Sequence, residues 1–232
     1  MKKMLSVRVL MVSLVSAMFL QSCDDKDSVA PEPPVADQSH VQEFDDIASA
    51  EAAGWTFINM SETQTPANFG FVNSAPLGIP PFSGTGSLYA GYQANTGNGI
   101  ISVWAVSPDV ILQNGDKISF YTLSLNDYTD PANVYADRLQ LRVSPYEGDH
   151  VGDTSYTVGG FTVNLVDVNP ALSVDEATGY PSTWTKFEGT ISGLSRPTKG
   201  HYAFRYFVPN GGTAGDNSNG ILLDRAEYVS VQ

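Results

Sequence analysis

The sequence predicts an all-β fold for residues 40–232, a single jelly-roll β-sandwich, and three observations carry that prediction. Short apolar–polar alternation with a period of two recurs along the chain, as half-buried antiparallel strands require. Gly, Pro, Asn and Asp clusters separate these runs at short intervals, as in sandwiches and jelly rolls. Helical periodicity is nearly absent, and only Ile47–Ala53 (IASAEAA) reads as helix, about two turns long.

The strands follow in order. Trp55–Asn59, Phe69–Asn73, Ser87–Gly91 and Ile100–Val106 come first. Lys117–Leu123 (KISFYTL) alternates and is rich in β-branched and aromatic residues. In Arg138–Val143 (RLQLRV), Leu139, Leu141 and Val143 point one way and Arg138, Gln140 and Arg142 the other. Phe161–Val166 and Thr183–Ile191 follow. His201–Val208 (HYAFRYFV) places Tyr202, Phe204 and Tyr206 on one side, and Ile221–Val231 closes the set. Turn chemistry at Asn114-Gly115-Asp116, Gly159-Gly160, Asn169-Pro170 and Gly211-Gly212 divides them. Each alternating strand is expected to keep one wet face.

Residues 1–22 have the parts of an export signal. Lys2, Lys3 and Arg8 precede an apolar run, Val9–Leu20, of about 12 residues, too short for a membrane span of about 20. Leu20-Gln21-Ser22-Cys23 resembles a bacterial lipobox in the relaxed form common among Bacteroidetes lipoproteins. Cys23, the one cysteine of the chain, is then the lipid attachment point and no disulfide framework is being built. The alternative is an ordinary free cysteine, a type usually buried. Asp24-Asp25-Lys26-Asp27 is similar to the acidic signal for surface export in that group. Residues 23–39, with Pro31-Glu32-Pro33-Pro34, read as an extended tether. The expected location is the outer membrane, facing outward and held by lipid alone.

The chain carries a formal charge of −13. Without residues 1–22, nine Lys and Arg face 25 Asp and Glu, which makes −16. Such a surface repels nucleic acid and anionic headgroups and suits cations or neutral partners.

Three ordered blocks carry a family resemblance. Glu43-Phe44-Asp45-Asp46 precedes Gly54-Trp55-Thr56-Phe57-Ile58. Gly84-Thr85-Gly86-Ser87-Leu88-Tyr89-Ala90 leads to Trp104-Ala105-Val106-Ser107-Pro108 and Gly115-Asp116-Lys117-Ile118-Ser119-Phe120. Trp184-Thr185-Lys186-Phe187 leads to Ala203-Phe204-Arg205-Tyr206 and Gly220-Ile221-Leu222-Leu223-Asp224. In order and spacing the set resembles the choice-of-anchor J and cleaved-adhesin modules of Bacteroidetes surface proteins. The resemblance implies a jelly roll like those of lectins and carbohydrate-binding modules, often with structural calcium. It also implies that Asp45 and the closing Asp224 meet, with Asp46 as a spare ligand and carbonyls of Gly84–Ser87 adding oxygens. Calcium takes six to eight such oxygens, and two carboxylates brought together repel unless a cation lies between them. Without a metal, Asp45 caps a short helix and Asp224 pairs with Arg205 or Arg225. One departure stands out. Where many members carry an Asp-Gly-Asp-Gly-like loop, this chain reads Asn59-Met60-Ser61-Glu62-Thr63-Gln64, so the resemblance places no calcium there.

Aromatic faces stack on sugar rings, and tyrosine adds a hydroxyl. Tyr89 and Tyr92 flank Gly91, and Tyr128 and Tyr135 lie in the loop Asn126–Asp137 (NDYTDPANVYAD). That loop and Asn210–Asn219 (NGGTAGDNSN) have the composition of binding loops. Trp55, Trp104 and Trp184 are instead expected in the core.

No catalytic signature is present. Gly86-Ser87-Leu88 lacks the nucleophile-elbow pattern, and His40, His150 and His201 have no metal-ligand spacing. No phosphate loop or dinucleotide fingerprint occurs. The expected function is a non-catalytic surface module that binds glycan or a host or matrix protein. One alternative is an accessory subunit of an outer-surface complex. The other is a glycoside hydrolase, which needs only two carboxylates about 5–10 Å apart.

Overall fold

The structure is a computed structural model that describes residues 34–73 and 78–232. Cys23, the signal-like segment 1–22 and residues 23–33 of the tether lie outside the described residues. The strands belong to a compact unit, Val35–Gln232. No helix among the described residues is long and apolar enough to cross a membrane.

Two antiparallel sheets stack face to face. One contains β3 (Gly70–Val72), β4 (Ser87–Gly91), β7 (Lys117–Ser124), β10 (Thr185–Thr190) and β12 (Gly220–Val229), in the order β10-β7-β12-β4-β3. The other contains β2 (Thr56–Asn59), β5 (Gly99–Val106), β8 (Leu139–Ser144), β9 (Val163–Val168) and β11 (Thr198–Gly211), in the order β2-β5-β11-β8-β9. Two short strands complete them: β1 (His40–Gln42) on β12 and β6 (Val110–Leu112) on β11. Both are three residues long, too short for the periodic signal that reveals a strand in sequence. The helix α1 spans Ile47–Ala52.

The alternation places the core where it was expected. Leu139, Leu141 and Val143 are buried, and Tyr202, Phe204 and Tyr206 are fully so. Trp55 packs edge-on to Phe44 and Tyr202, with ring centres 4.9 and 5.6 Å away, and lies parallel to Phe204. Such aromatic contacts stabilise beyond the area they bury.

The expectation of one wet face per strand fails in both sheets: β4, β7 and most of β12 have little exposed surface on either face, and the burial is most complete on the β5–β11 sheet. Ile100–Val106 and Gly200–Arg205 are buried without a break. The segment 145–162 folds over the outer face, where Val151 and Phe161 pack with Trp104, Val106 and Ala203. Its return at Gly159 has φ of +52°, and a Cβ there would lie 2.0 Å from the His150 carbonyl oxygen, so glycine is required. Arg205, expected near the closing acid, belongs to this second layer. It donates to Ser102 Oγ and to the Ser155 carbonyl, and its guanidinium lies 4.0 Å above the Phe207 ring.

Trp184 corrects a second expectation. It is not in the core with Trp55 and Trp104. It lies half-buried at the surface, donates to the Pro80 carbonyl at 2.9 Å, and faces Phe82, which stacks on Tyr121.

The ends of the unit run side by side, since β1 pairs with β12 through His40↔Tyr228 to Gln42↔Ala226. The same edge of β12 pairs with β4 over Gly220–Leu223. The change of partner falls at a bulge between Asp224 and Glu227, where Arg225 adopts φ of +48°.

Candidate functional site

Three connections converge at one end of the sandwich. The first is the turn Tyr92–Ala94 that follows β4. The second is the β7–β8 loop, and the third is the β11–β12 loop. Together they form a cleft of about 250 Å³ with Tyr92 and Tyr135 on its walls and Gly212, Thr213, Gly215, Ser218 and Asn219 around them. Tyr92 is 39 % exposed, which leaves ring surface for a ligand.

Buried polar side chains hold these loops in place. Asp137, fully buried, accepts from Ser124 Oγ with one oxygen and from Tyr206 Oη, Asn219 N and Gly220 N with the other. Burial pushes its carboxyl up to about 7, while these hydrogen bonds pull the other way. Asn126 accepts from Tyr135 N, donates to the Tyr135 carbonyl and accepts from Asn219 Nδ2, so it ties two of the loops together. Asn95, also buried, offers its carbonyl to Thr213 N at 3.1 Å, and Gly97 N donates to Thr213 Oγ1 at 2.8 Å. Gly212 adopts φ of +103°, and a Cβ there would lie 2.3 Å from the Gly97 carbonyl oxygen. The loop backbones are therefore interlocked and preorganised.

The tyrosines named from sequence divide. Tyr92 and Tyr135 meet at the cleft. Tyr89 lies beneath it: its hydroxyl donates to Gln93 Oε1, and its ring crosses Gly91 and Gly220 so closely that neither tolerates a Cβ. Burial pushes the Tyr89 hydroxyl up to about 12. Tyr128 donates to the Tyr180 carbonyl at 3.1 Å and does not line the cleft. Sequence reasoning missed Asn95 and the anchoring part of Asp137. The visible signal was the density of Asn, Asp and Gly in these connections, which does not say which of them turn inward.

Two other clefts are less suited to a ring-shaped ligand. One of about 340 Å³ lies by His40, Trp55 and Asp109, but Trp55 is only 2 % exposed and its faces are spent in the core. One of about 270 Å³ lies between Glu62 and Asp153 and has no aromatic side chain in its wall.

The acids named as metal ligands collect around the segment Ser83–Gly86. Asp45 accepts from Thr85 N at 2.5 Å and Thr85 Oγ1 at 3.1 Å. Asp224, buried, accepts from Ser83 N at 3.1 Å and Arg225 N at 2.7 Å. Burial pushes its carboxyl up to about 6, and the charge of Glu43 adds to the rise. Glu43 accepts from Ser83 Oγ and forms an ion pair with Arg225 at 2.6 Å. Asp46 stands apart as the N-cap of α1, accepting from Ser49 N at 2.8 Å. The metal-free alternative is therefore changed in both parts: Asp46, not Asp45, caps the helix, and the Arg225 guanidinium takes Glu43, not Asp224. Among the described residues no group of three or more His, Cys, Asp and Glu is gathered as a metal would need. Ser87 Oγ is buried without a hydrogen-bond partner, one residue before Leu88, which pairs with Leu223 beside Asp224. The donors here are all oxygen, which fits calcium in kind.

No family model matches the chain. No curated protein matches it either. Solved structures do. The K1 cleaved adhesin domain of Lys-gingipain from Porphyromonas gingivalis aligns at 19 % identity with a TM-score of 0.55, covering 84 % of this chain and 99 % of that one. The K3 cleaved adhesin domain of the same protein aligns at 18 % identity with a TM-score of 0.51, covering 84 % and 100 %. A structure of TmCBM61 in complex with β-1,4-galactotriose aligns at 11 % identity with a TM-score of 0.45, covering 82 % and 97 %, too loosely to bear on the site. Over most of its length the chain has the β-sandwich fold of cleaved adhesin domains.

Proposed function

We propose that the protein is a non-catalytic binding module for glycan, carried on the cell surface by a lipid at Cys23. The observation that carries the glycan reading is the cleft in which Tyr92 and Tyr135 stand beside Gly212–Asn219. It combines stacking faces with hydroxyl and amide groups, the pairing that sugar rings require, on loops fixed by Asp137, Asn126 and Asn95. The cleft wall contains no carboxylate, whereas glycoside hydrolysis needs two. The adhesin-like fold supports the same reading, while the finer assignment to a choice-of-anchor J module rests on the ordered sequence blocks alone. Calcium as a structural cation at Asp45 and Asp224 rests on the sequence resemblance and on the two carboxylates both reaching the segment Ser83–Thr85.

A glycan array probed with the full chain in detergent tests the binding. Reproducible sugar binding that Tyr92→Ala and Tyr135→Ala each weaken is the expected result. An array that stays silent, with calcium and without, refutes it.

A further inference from the structure

We infer, resting on that glycan reading, that the Tyr92–Tyr135 cleft selects one uncharged sugar ring and rejects anionic sugars such as uronic and sialic acids. Size sets the first half. About 250 Å³ lies below the roughly 300–1,000 Å³ of sites that enclose drug-sized ligands, so one ring fills it.

The hydrogen-bond inventory sets the second half. An anion is held by cationic side chains or by free backbone N–H groups. No cationic side chain lines the cleft. Most of the loop N–H groups are already spent, among them Thr213 on Asn95 O, Ala214 on Gly97 O, Gly215 on Gly212 O and Ser218 on Ala136 O. Those of Asn219 and Gly220 are spent on the carboxylate of Asp137. Asn219 Nδ2 gives one of its two N–H groups to Asn126. What remains for a ligand is the Asn219 amide, with its Oδ1 and one N–H, and the hydroxyls of Tyr92, Tyr135 and Thr213, uncharged groups that suit sugar hydroxyls, which both donate and accept. Charge acts in the same direction. Asp137 lies behind Asn219, Asp216 is exposed next to Gly215, and the whole chain carries −13.

Calorimetric titration of the full chain tests this with matched pairs: methyl galactoside against galacturonic acid, methyl glucoside against glucuronic acid, and N-acetylglucosamine against N-acetylneuraminic acid. At least one neutral probe binds, and its anionic counterpart binds at least about tenfold more weakly in about 20 mM NaCl. The gap narrows in about 500 mM NaCl and in the variant Asp216→Asn. Equal affinity for both members of a pair at low salt overturns the charge selection and leaves the glycan reading standing. A neutral trisaccharide that binds more than about tenfold tighter than its monosaccharide overturns the single-ring assignment. Silence from every probe overturns the glycan reading, and the selectivity with it.

Discussion

The buried carboxylate of Asp137 accepts the backbone N–H of Asn219 at 3.1 Å, and that contact joins the β11–β12 loop to the end of the β7–β8 loop. Three further donors converge on the same side chain. Asp137→Ala leaves them without an acceptor in the interior. It is expected to cost about 2–4 kcal/mol of stability, read from denaturant unfolding, and to abolish sugar binding. An unchanged unfolding midpoint would show that the loops are held by other contacts.

Stability should rise as pH falls from 8 to 5.5. Asp137 and Asp224 have folded pKa values of about 7 and about 6, above their unfolded values. Over this range the folded state binds more protons than the unfolded state, so acidification favours folding. The two groups together supply about 2 kcal/mol, or roughly 5 °C in Tm for a chain of this size. A melting temperature that falls over the same interval would reverse the assignment.

Calcium should raise Tm relative to a chelator at pH 7.5 and flatten the part of the pH dependence that comes from Asp224, because a bound cation favours the ionised carboxylate. Asp224→Asn should remove both effects. Identical melts in calcium and in chelator would exclude a structural ion at this position.

Gly212→Ala forces a Cβ against the Gly97 carbonyl at a positive φ. A cost of about 1–3 kcal/mol and loss of sugar binding are expected, with the far end of the sandwich unaffected in amide exchange. Wild-type affinity in this variant would mean that the interlock of residues 95–97 with 212–214 does not shape the cleft.

Trp55→Ala should cost about 3–5 kcal/mol and Trp184→Ala under about 1.5, since only the first empties a closed core. Equal costs from chemical denaturation would contradict the placement of Trp184 at the surface.

Periodicity made the longer strands legible. Lys117–Leu123 and Ser87–Gly91 stand in the structure almost as read, because their inward residues alternate with a period that only a strand buries. β1 and β6 escaped notice at three residues each. The double burial of β5 and β11 was hidden because the cover comes from residues 145–162, a connection whose path local composition does not reveal. The site was half legible. Tyr92, Tyr135 and the two Asn- and Gly-rich loops were visible as types. That they meet, while Tyr128 turns to Tyr180 and Tyr89 lies beneath, depends on Asp137 and Asn126 acting across loops far apart in sequence.

Amide chemical-shift mapping during titration with a neutral sugar tests the assignment of the cleft most directly. The predicted result is saturable movement of Gly212, Thr213, Gly215, Ser218 and Asn219 before any other amides, lost in the Tyr92→Ala, Tyr135→Ala double variant. Movement confined to the exposed face around Phe82, Tyr121 and Trp184, with these loop amides still, would contradict it.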